Sequence, residues 1–285
     1  GLAGDALTTG SSNIAIGREA LTTEDTGSRN VAIGQAALRD LNYDGTGYNV
    51  AVGYTAGMSV TSGVQNTLIG GLAGDALLTG SNNTAIGYAA LSAANGDENY
   101  NVAIGSGSLM NLDGSGDMWN TAVGTNSGLN ITTGGHNVLL GGRAGDALTA
   151  GSRNIAIGFD ALGAEDDHLG NVAIGYQALK VQDAGTNAYN VAIGYDAGLS
   201  VSTGETTVLI GAFAGDALTT ASANVAIGYA ALSTEDTMGN NVAVGYKALQ
   251  DLNSGANGNN VAVGAEAGRR MSTGIKNTIV GALAG

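Results

Sequence analysis

A short alternation of polar and apolar positions recurs along the whole chain. Each copy runs asparagine, a β-branched residue, alanine or a larger aliphatic residue, a second aliphatic residue and glycine, and the first copy occupies residues 13–17. Sixteen copies follow one another at intervals of 17 to 19 residues, and only Thr207 replaces the asparagine. Because side chains alternate between the two faces of a β-strand, the first and third residues after the asparagine share one face. Each copy therefore predicts one short strand.

The residues between these strands predict a bend and a loop. The glycine that closes the strand is present in every copy, which indicates a bend or a close backbone approach. A polar stretch such as residues 22–29 follows and is typical of a loop. Since one repeat cannot bury an apolar face alone, the repeats must stack. We therefore predict an all-β fold, a parallel β-solenoid or β-roll of about 16 coils of 17–19 residues. One helix per repeat is the alternative, which the glycine and β-branched columns disfavour.

Four repeats form a super-repeat of about 70 residues. The motif GLAGDAL or a close variant opens the four blocks at Gly1, Gly71, Gly142 and Ala212. The middle strand residue is alanine except in every fourth copy, where it is Leu68, Leu139, Leu209 or Ile279. Residues 1–285 are predicted to form a single array with super-repeats at about 1–70, 71–141, 142–211 and 212–281. Because the chain starts and stops in phase with the blocks, we expect a segment of a longer fibre.

The strand columns also predict an inside and an outside. We expect the β-branched and aliphatic columns, which include Ile33, to face a dry core. The alanine columns, with Ala32 in the strand and Ala37 after the bend, are small and regular, and they suit a surface that is shared along the solenoid. A long apolar stripe exposed to water usually marks an interface, so we predict a parallel homotrimer. The alternative is a single-chain solenoid whose alanine columns face inward.

Composition and charge narrow the range of functions. Glycine accounts for 49 of the 285 residues, proline and cysteine are absent, and the net charge is −14. The lack of cysteine excludes disulfides and thiolate metal sites, and glycine without a Gly-X-Y period excludes collagen. An acidic surface repels nucleic acid, and no stretch approaches the ~20 apolar residues that cross a bilayer. We therefore expect no nucleic-acid partner and no membrane insertion.

The repeat resembles those of two families of fibrous proteins. Residues 79–91 read TGSNNTAIGYAAL, and residues 171–179 read NVAIGYQAL. These NxAIG repeats resemble the head repeats of trimeric autotransporter adhesins and, more closely, the 17-residue units of phage tail fibres. The resemblance covers essentially all 285 residues, although the units are longer than those usual in the adhesin heads and the regular super-repeat is not a general feature of either family.

The resemblance implies a β-roll of three parallel chains in an extracellular, virion or cell-surface structure. The function it implies is a non-enzymatic fibre shaft or adhesin that projects a receptor-binding tip toward a host surface. Its partners would be further copies of the chain, as a homotrimer or filament, and host cell-surface glycans. The alternative is a subunit of a bacterial or archaeal extracellular filament or a surface adhesin. An ice-binding solenoid would need a flat threonine array, whereas threonine occupies the first strand column only at Thr67, Thr84, Thr121 and Thr278.

The clustered ionisable residues give little support for catalysis. His168 lies beside Glu165, Asp166 and Asp167, but the matching loops of other blocks carry no histidine, so we expect a solvated polar loop. His136 has no carboxylate neighbour in the sequence and is expected at the surface. Ser-His-Asp spacing, zinc motifs and phosphate loops do not occur in the sequence. We therefore expect no catalytic residue and no cofactor, and hence no enzyme.

The recurring aspartates suggest a calcium hypothesis, because hard cations favour oxygen ligands. One position carries Asp5, Asp75, Asp146 and Asp216, and two long loops carry Asp44, Asp113 and Asp117. The calcium β-roll motif GGxGxDxUx does not occur, however, and a lone aspartate more often caps a turn than binds a metal. We therefore expect no metal.

Two columns remain as candidate functional or structural residues. An aromatic residue precedes the asparagine in three of the longer units, at Tyr48, Trp119 and Tyr189. Such rings combine apolar area with a polar handle, so they are candidates for glycan contact, the alternative being that each ring covers its own loop. The asparagines are predicted to form a structural ladder of stacked, hydrogen-bonded amides. Its first eight members are Asn13, Asn30, Asn49, Asn66, Asn83, Asn101, Asn120 and Asn137.

Overall fold

Each repeat forms one three-residue strand in the computed structural model, which describes residues 1–234, 237–255 and 257–285. The chain is an all-β parallel β-solenoid of about 16 coils, and each coil is numbered here by the strand that it contains. The described residues contain no helix, and hence none that is long and apolar enough to span a bilayer. The predicted parallel β-solenoid is therefore confirmed, whereas the trimer, the single array and its four super-repeats stay predictions.

The chain divides into two units. The first comprises Gly1–Arg143 and Leu148–Ala150, and the second comprises Ala144–Ala147 and Gly151–Gly285. The strands of the first unit are β1 (Ile14–Ile16), β2 (Val31–Ile33), β3 (Val50–Val52), β4 (Thr67–Ile69), β5 (Thr84–Ile86), β6 (Val102–Ile104), β7 (Thr121–Val123) and β8 (Val138–Leu140). The strands of the second unit are β9 (Ile155–Ile157), β10 (Val172–Ile174), β11 (Val191–Ile193), β12 (Val208–Ile210), β13 (Val225–Ile227), β14 (Val242–Val244), β15 (Val261–Val263) and β16 (Thr278–Val280).

Within each unit, neighbouring strands pair in parallel and in the same register. In the first unit Val31 pairs with Ile14 on one side and with Val50 on the other. In the second unit Val191 lies in the same way between Val172 and Val208. Equivalent residues of successive coils are therefore stacked in columns, so a property of one sequence position is repeated along the unit.

The corners between strands use backbone angles that are unusual for residues other than glycine. In coil 2, φ is +56° at Ala36, +48° at Leu38 and +51° at Tyr48. Left-handed backbone costs such residues roughly 1–2 kcal/mol each. The corners are held by hydrogen bonds to the neighbouring coils, since the Ala36 N–H donates to the Arg18 carbonyl at 2.8 Å and the Leu38 N–H to the Ala56 carbonyl at 3.1 Å. The corner geometry thus depends on stacking.

A close backbone contact requires the glycine that closes each strand. Gly34 has a φ of +136°, and a Cβ atom at this position would lie 2.2 Å from the carbonyl oxygen of Gly53 in the next coil. In the second unit, a Cβ atom on Gly175 would lie 2.1 Å from the carbonyl oxygen of Gly194. Any other residue would push successive coils apart, which explains why the sequence carries glycine in every copy.

The core lies behind the middle strand column. Ala32 and Ala51 are fully buried, as is Ala37 after the bend. The two flanking columns are half-buried or exposed in every strand, and Ile33 is half-buried. The prediction that the β-branched columns face a dry core is therefore wrong. The alanine columns face inward, which was the alternative, and burial within one chain makes them unavailable as an interface.

The buried residue in the middle of the strand and the residue at the facing corner are complementary in size in coils 2 and 4. In coil 2 the strand contributes Ala32 and the corner contributes Leu38, both fully buried. In coil 4 the strand contributes Leu68 and the corner contributes Gly74, where a Cβ atom would lie 2.8 Å from Leu68 Cδ2. A Cβ atom on Gly57 of coil 3 would lie 2.7 Å from Leu68 Cδ1. A leucine in the strand therefore requires glycine at the facing corners. This explains why the strand leucines and the corner glycines both recur with a period of four coils.

A ladder of asparagine side chains runs beside the core of the first unit. The Oδ1 atom of each asparagine from Asn13 to Asn120 accepts the backbone N–H of the next asparagine at 2.9–3.2 Å. The amide also closes its own coil, since Asn66 Nδ2 donates to the Gly80 carbonyl at 2.9 Å. The side chains from Asn30 to Asn137 are almost completely buried, so these bonds satisfy polar groups that water does not reach.

The same pattern runs through the second unit with one substitution. Asn171 and Asn190 each donate a backbone N–H to the Oδ1 atom of the preceding asparagine, at 2.9 and 3.0 Å. At Thr207, the backbone N–H and the hydroxyl Oγ1 both donate to Asn190 Oδ1 at 2.9 Å. Threonine therefore retains the bonds toward the preceding coil, which explains how it replaces asparagine.

Adjacent residues of strand β4 test which face of the sheet is inside. Leu68→Ala should lower the free energy of unfolding by about 2–5 kcal/mol, because it removes a buried side chain and leaves a cavity against two glycines. Ile69→Ala is the matched control and should lower it clearly less, because Ile69 is 37% exposed. Urea unfolding followed by circular dichroism measures both losses. An equal or larger loss for Ile69→Ala would contradict the orientation described here.

The ladder can be tested with the substitution that the chain itself carries. Asn101→Ala removes the acceptor of the Asn120 N–H, at 3.2 Å, and the donor to Asn83 Oδ1, at 3.1 Å. An unsatisfied buried group costs about 1–3 kcal/mol, so we expect a loss of that order in urea unfolding. Asn101→Thr should lose less, because the hydroxyl replaces one donor as it does at Thr207. A negligible loss for Asn101→Ala would argue against a stabilising role for the amide, and equal losses for the two variants would show that the hydroxyl does not replace its donor.

Candidate functional surfaces

The outward strand columns form an apolar face on each unit. Valine, isoleucine and threonine of the first strand position and the aliphatic residue of the third position lie side by side, because the strands pair in register. Ile69 in the first unit is 37% exposed and Val263 in the second unit is 39% exposed. Aliphatic residues arranged in two continuous columns form a regular surface that is suited to packing against another apolar surface.

A ladder of six aromatic rings runs along the second unit beside this face. Successive ring centroids are 5.1–5.9 Å apart. The members are Phe159, Tyr176, Tyr195, Phe213, Tyr229 and Tyr246. Where the rings are stacked, their faces cover one another. Such pairs contribute about 0.5–1.5 kcal/mol each beyond area burial, so the ladder ties successive coils together.

The ladder does not appear as one continuous column in the sequence. Five of its rings directly follow the glycine that closes a strand, but coil 12 carries Ala212 at that position. Phe213, one residue later, fills the gap and packs edge-on against Tyr195 and Tyr229 at 5.4 and 5.7 Å. The signal was the change from GLAGDAL to AFAGDAL at the start of the fourth block.

The three residues predicted for glycan contact are about half-exposed, and each ring packs on the preceding coil. The guanidinium of Arg29 lies 5.6 Å from the centre of the Tyr48 ring, and its Nη1 donates to the Tyr48 hydroxyl at 3.0 Å. Trp119 stacks on Tyr100 with ring centroids 4.1 Å apart. Tyr189 lies next to Gly170 of the preceding coil, where an added Cβ atom would lie 2.7 Å from the Tyr189 ring. One face of each ring is therefore occupied, and glycan contact at Tyr48, Trp119 and Tyr189 stays a prediction.

Tyr48 and Trp119 are not brought together by the fold. They lie on the loops before strands β3 and β7, four coils apart, which corresponds to about 19 Å at ~4.8 Å per coil. Tyr189 lies in the second unit. Tyr48 and Trp119 would therefore contact a glycan at separate places.

The histidine cluster is more ordered than the sequence suggested. Glu165 is fully buried, and the His168 side chain is only 13% exposed. His168 Nδ1 lies 2.8 Å from Glu165 Oε1, and Nε2 lies 3.1 Å from Asp167 Oδ1. Asp183, from the following coil, joins the group, so that one ligand atom each from Glu165, Asp166, His168 and Asp183 lies within 4.8 Å of the others. The expectation of a solvated loop is therefore wrong for Glu165 and His168.

The electrostatics of this cluster favour a charged imidazole ring. Burial raises the pKa of Glu165, and the hydrogen bond with His168 opposes that rise. Burial also disfavours the charged form of His168, but the hydrogen bond and the negative charges of Glu165 and Asp167 outweigh it and raise the pKa of the histidine. With both ring nitrogens held by carboxylates, the imidazolium itself supplies the positive charge in the cluster. A divalent metal would have to displace that proton before His168 could bind it.

The Glu165 carboxylate also connects this cluster to the asparagine ladder. Its Oε2 atom accepts a hydrogen bond from Asn171 Nδ2 at 3.1 Å. Sequence spacing had placed Glu165 and His168 together but gave no reason to include Asp183, which comes from the next loop. The arrangement is a largely buried ion pair in the loop before strand β10, and the predicted absence of metal and catalysis stays a prediction. His136 is exposed, as its sequence context suggested.

Two of the recurring aspartates, Asp75 and Asp216, are half-buried, whereas Asp5 is exposed. In the described part of the chain, Oδ1 of Asp75 and Oδ1 of Asp216 accept no hydrogen bond. Burial raises the pKa of Asp75 and raises the pKa of Asp216 to about 6, to which the charge of Asp196 adds. Across the described ranges, the His168 cluster is the one group of three or more candidate metal ligands within reach of one ion. The recurring aspartates are not members of that group.

The polar and aromatic groups of both units share one property, since many of them contact the same column in a neighbouring coil. The Ser11 hydroxyl lies 3.2 Å from that of Ser28, and Asn111 Nδ2 donates to Asn130 Oδ1 at 3.2 Å.

No protein-family model matches the chain, and no curated protein matches its sequence. The resemblance to adhesin heads and tail fibres therefore rests on the repeat columns alone.

The raised pKa values of the acidic groups predict a dependence of stability on pH. A carboxyl group whose pKa is higher in the folded chain stabilises the fold below its unfolded pKa of about 4, and this contribution is lost as pH rises through the folded value. For Asp216 that window ends at about pH 6. His168 acts in the same direction, because its raised pKa means that stability is lost as the ring deprotonates. We therefore expect the melting temperature to fall by a few degrees between pH 5 and pH 7.5.

Calorimetry at constant ionic strength measures this fall. Asp216→Asn removes the ionisable carboxyl and should reduce the fall, whereas substitution of an exposed carboxylate such as Asp113→Asn should leave it nearly unchanged. A melting temperature that rises across the same window would contradict the pKa directions given above.

Proposed function

We propose that this chain is a non-enzymatic structural segment of an extracellular fibre, resembling the shaft of a phage tail fibre that projects a receptor-binding tip toward a host surface. The observation that supports the proposal is the uninterrupted, in-register stack of coils in each unit, with a buried asparagine ladder along it. Such a stack makes every coil an equal spacer, because each coil adds one strand spacing of ~4.8 Å.

The polar side chains support a structural rather than a catalytic role. Ser108, which replaces the usual buried alanine, donates its hydroxyl to the Ala122 carbonyl at 3.0 Å. Ser127 does the same toward the Leu139 carbonyl at 3.0 Å. These buried hydroxyls are engaged in bonds within and between coils. Hydroxyls held in this way are satisfied structural groups, whereas a nucleophilic serine needs an adjacent base.

We propose the outward strand columns as the surface through which copies of the chain pair, as a homotrimer. The apolar face that the alanine columns were expected to provide is supplied instead by the β-branched columns, whose residues are half-buried in a single chain. Burial of these columns against the same columns of parallel copies would remove a long apolar stripe from water. The net charge of −14 would keep assembled fibres apart from one another.

Sedimentation equilibrium tests the homotrimer. We expect a mass of about three times 27.9 kDa at micromolar concentration. The double variant Ile86→Glu and Ile104→Glu places charges on the outward face and should shift the mass toward 27.9 kDa without unfolding the chain. The matched control, Ser115→Glu and Thr133→Glu, places two charges on exposed loop residues and should keep the parent's mass.

Two other masses would overturn the proposed assembly. A parent that sediments as a single chain would exclude the trimer and favour an isolated solenoid. Large, concentration-dependent species would favour the alternative of an extracellular filament subunit. Retention of the trimer by the Ile86 and Ile104 variant, with its melting temperature unchanged, would exclude the outward strand columns as the interface.

A further inference from the structure

A cavity of about 300 Å³ opens on the surface of the first unit beside strands β5 and β6. Its lining combines the ring of Tyr88 with the polar side chains of Asp75, Ser92, Ser106 and Asn126. The volume is at the lower end of the range of small-molecule sites, which typically combine apolar walls with a few polar groups. The cavity is separate from the outward strand columns, from the histidine cluster and from the three rings predicted for glycan contact.

The cavity lies where coil 6 has no aromatic ring to stack on Tyr88 of coil 5. The residue after the strand-closing glycine is Tyr88 in coil 5 and Ser106 in coil 6, and Gly107 follows. The matching residues of the fourth block are Tyr229 and Tyr246, and their rings stack 5.5 Å apart at an interplanar angle of 15°. Ser106 therefore leaves open the space that Tyr246 occupies in the second unit.

The missing ring leaves Tyr88 unusually accessible. Tyr88 is 63% exposed, whereas its counterpart Tyr229 is 46% exposed. On its other side lies Gly71, where even an added Cβ atom would remain 3.6 Å from the ring. Both neighbours of Tyr88 along the stack are therefore small. A free aromatic face is apolar and electron-rich, and it attracts flat C–H surfaces that carry partial positive charge.

The polar groups of the cavity are placed to accept and donate hydrogen bonds. Oδ1 of Asp75 is buried, and no described group donates to it. The half-buried carboxyl group as a whole lines the cavity and can accept a bond from a ligand that brings a hydroxyl or amine, and burial raises its pKa. A Cβ atom on Gly107 would lie 2.6 Å from Asn126 Oδ1. Because Gly107 has no side chain, the Asn126 amide has room in the wall of the cavity.

We propose that this cavity binds a single pyranose sugar, with the C–H face of the sugar packed on Tyr88 and its hydroxyls bonded to Asp75, Ser92, Ser106 and Asn126. A cationic amine is the competing ligand class, because a carboxylate and an aromatic face also attract positive charge. The neutral polyol fits better, since amine cages use several rings, whereas here one ring faces three neutral side chains that both donate and accept. The proposal does not rest on the role as a fibre shaft, and it would give the chain a recognition site away from any tip.

Titration of the full 285-residue chain with defined sugars tests the site. The probes are the methyl α- and β-pyranosides of glucose, galactose, mannose and N-acetylglucosamine, followed by saturation-transfer NMR and calorimetry. We expect at least one probe to bind in the millimolar range and to perturb the Tyr88 ring. Tetramethylammonium is titrated in parallel as the cationic probe.

Variants of the chain identify where the sugar binds. Ser106→Tyr copies the ring that fills this space in the fourth block, so it should weaken binding at least tenfold while the melting temperature is retained. Tyr88→Ala removes the ring and should do the same, which keeps the test decisive if the first variant folds poorly. Tyr229→Ala removes the matching ring of the second unit and should leave the affinity unchanged.

Three results would overturn the proposal. No binding of any of the eight pyranosides at high millimolar concentration would exclude the sugar site. Unchanged binding by both Ser106→Tyr and Tyr88→Ala would place the sugar elsewhere. Binding of tetramethylammonium that exceeds that of every pyranoside, and that is lost in Asp75→Asn, would replace the sugar by a cationic ligand. None of these results would bear on the fibre role, which sedimentation tests independently.

Discussion

The hydrogen bonds of the asparagine side chain organise the coils of both units, with Thr207 taking its place in one coil. The Oδ1 atom accepts from the next coil, and Nδ2 in several coils donates to the carbonyl group that ends the loop of its own coil, as Asn49 does toward Gly63 at 2.8 Å. One side chain therefore sets both the stacking register and the closure of the coil. Since the amides are buried, each bond operates in a low dielectric and its loss would leave polar groups unpaired. This explains why only Thr207, which retains donors toward the preceding coil, takes its place.

The narrow interior imposes the second constraint. The two walls of a coil are close enough that a strand leucine such as Leu209 requires glycine at the corners it faces, Gly198 and Gly215, where a Cβ atom would lie 2.7 Å from it. Alanine in the strand and leucine at the corner is the complementary solution, seen in Ala173 and Leu179. Close packing then forces large and small residues to alternate in a fixed order along the stack. The period of four coils in the sequence is consistent with this alternation of large and small residues between strand and corner.

In-register stacking also decides where recognition can occur. In a column of like residues, each side chain packs on the next, as the rings of Tyr176 and Tyr195 do when they stack. Groups become available to ligands where a column is broken, as at Ser106, which leaves the Tyr88 ring uncovered. Loops that depart from their counterparts behave in the same way, because His168, which stands where the first block has Gly27, lies among the carboxylates of Glu165, Asp166 and Asp183. The functional candidates of this chain are therefore departures from its repeat.

The sequence alone determined the strands, their number, the loops and the asparagine column, because period-two alternation and a fixed repeat length leave little choice in a stacked fold. It did not determine which face of the strand is inside, since both faces carry apolar residues. That choice depends on the distance between the walls of a coil, and Ala32 fits the interior where Ile33 does not. The contribution of Asp183 to the histidine cluster, the place of Phe213 in the ring ladder and the cavity beside Tyr88 likewise required the tertiary structure. Each joins residues about one repeat apart, and only the stacking of coils brings such residues into contact.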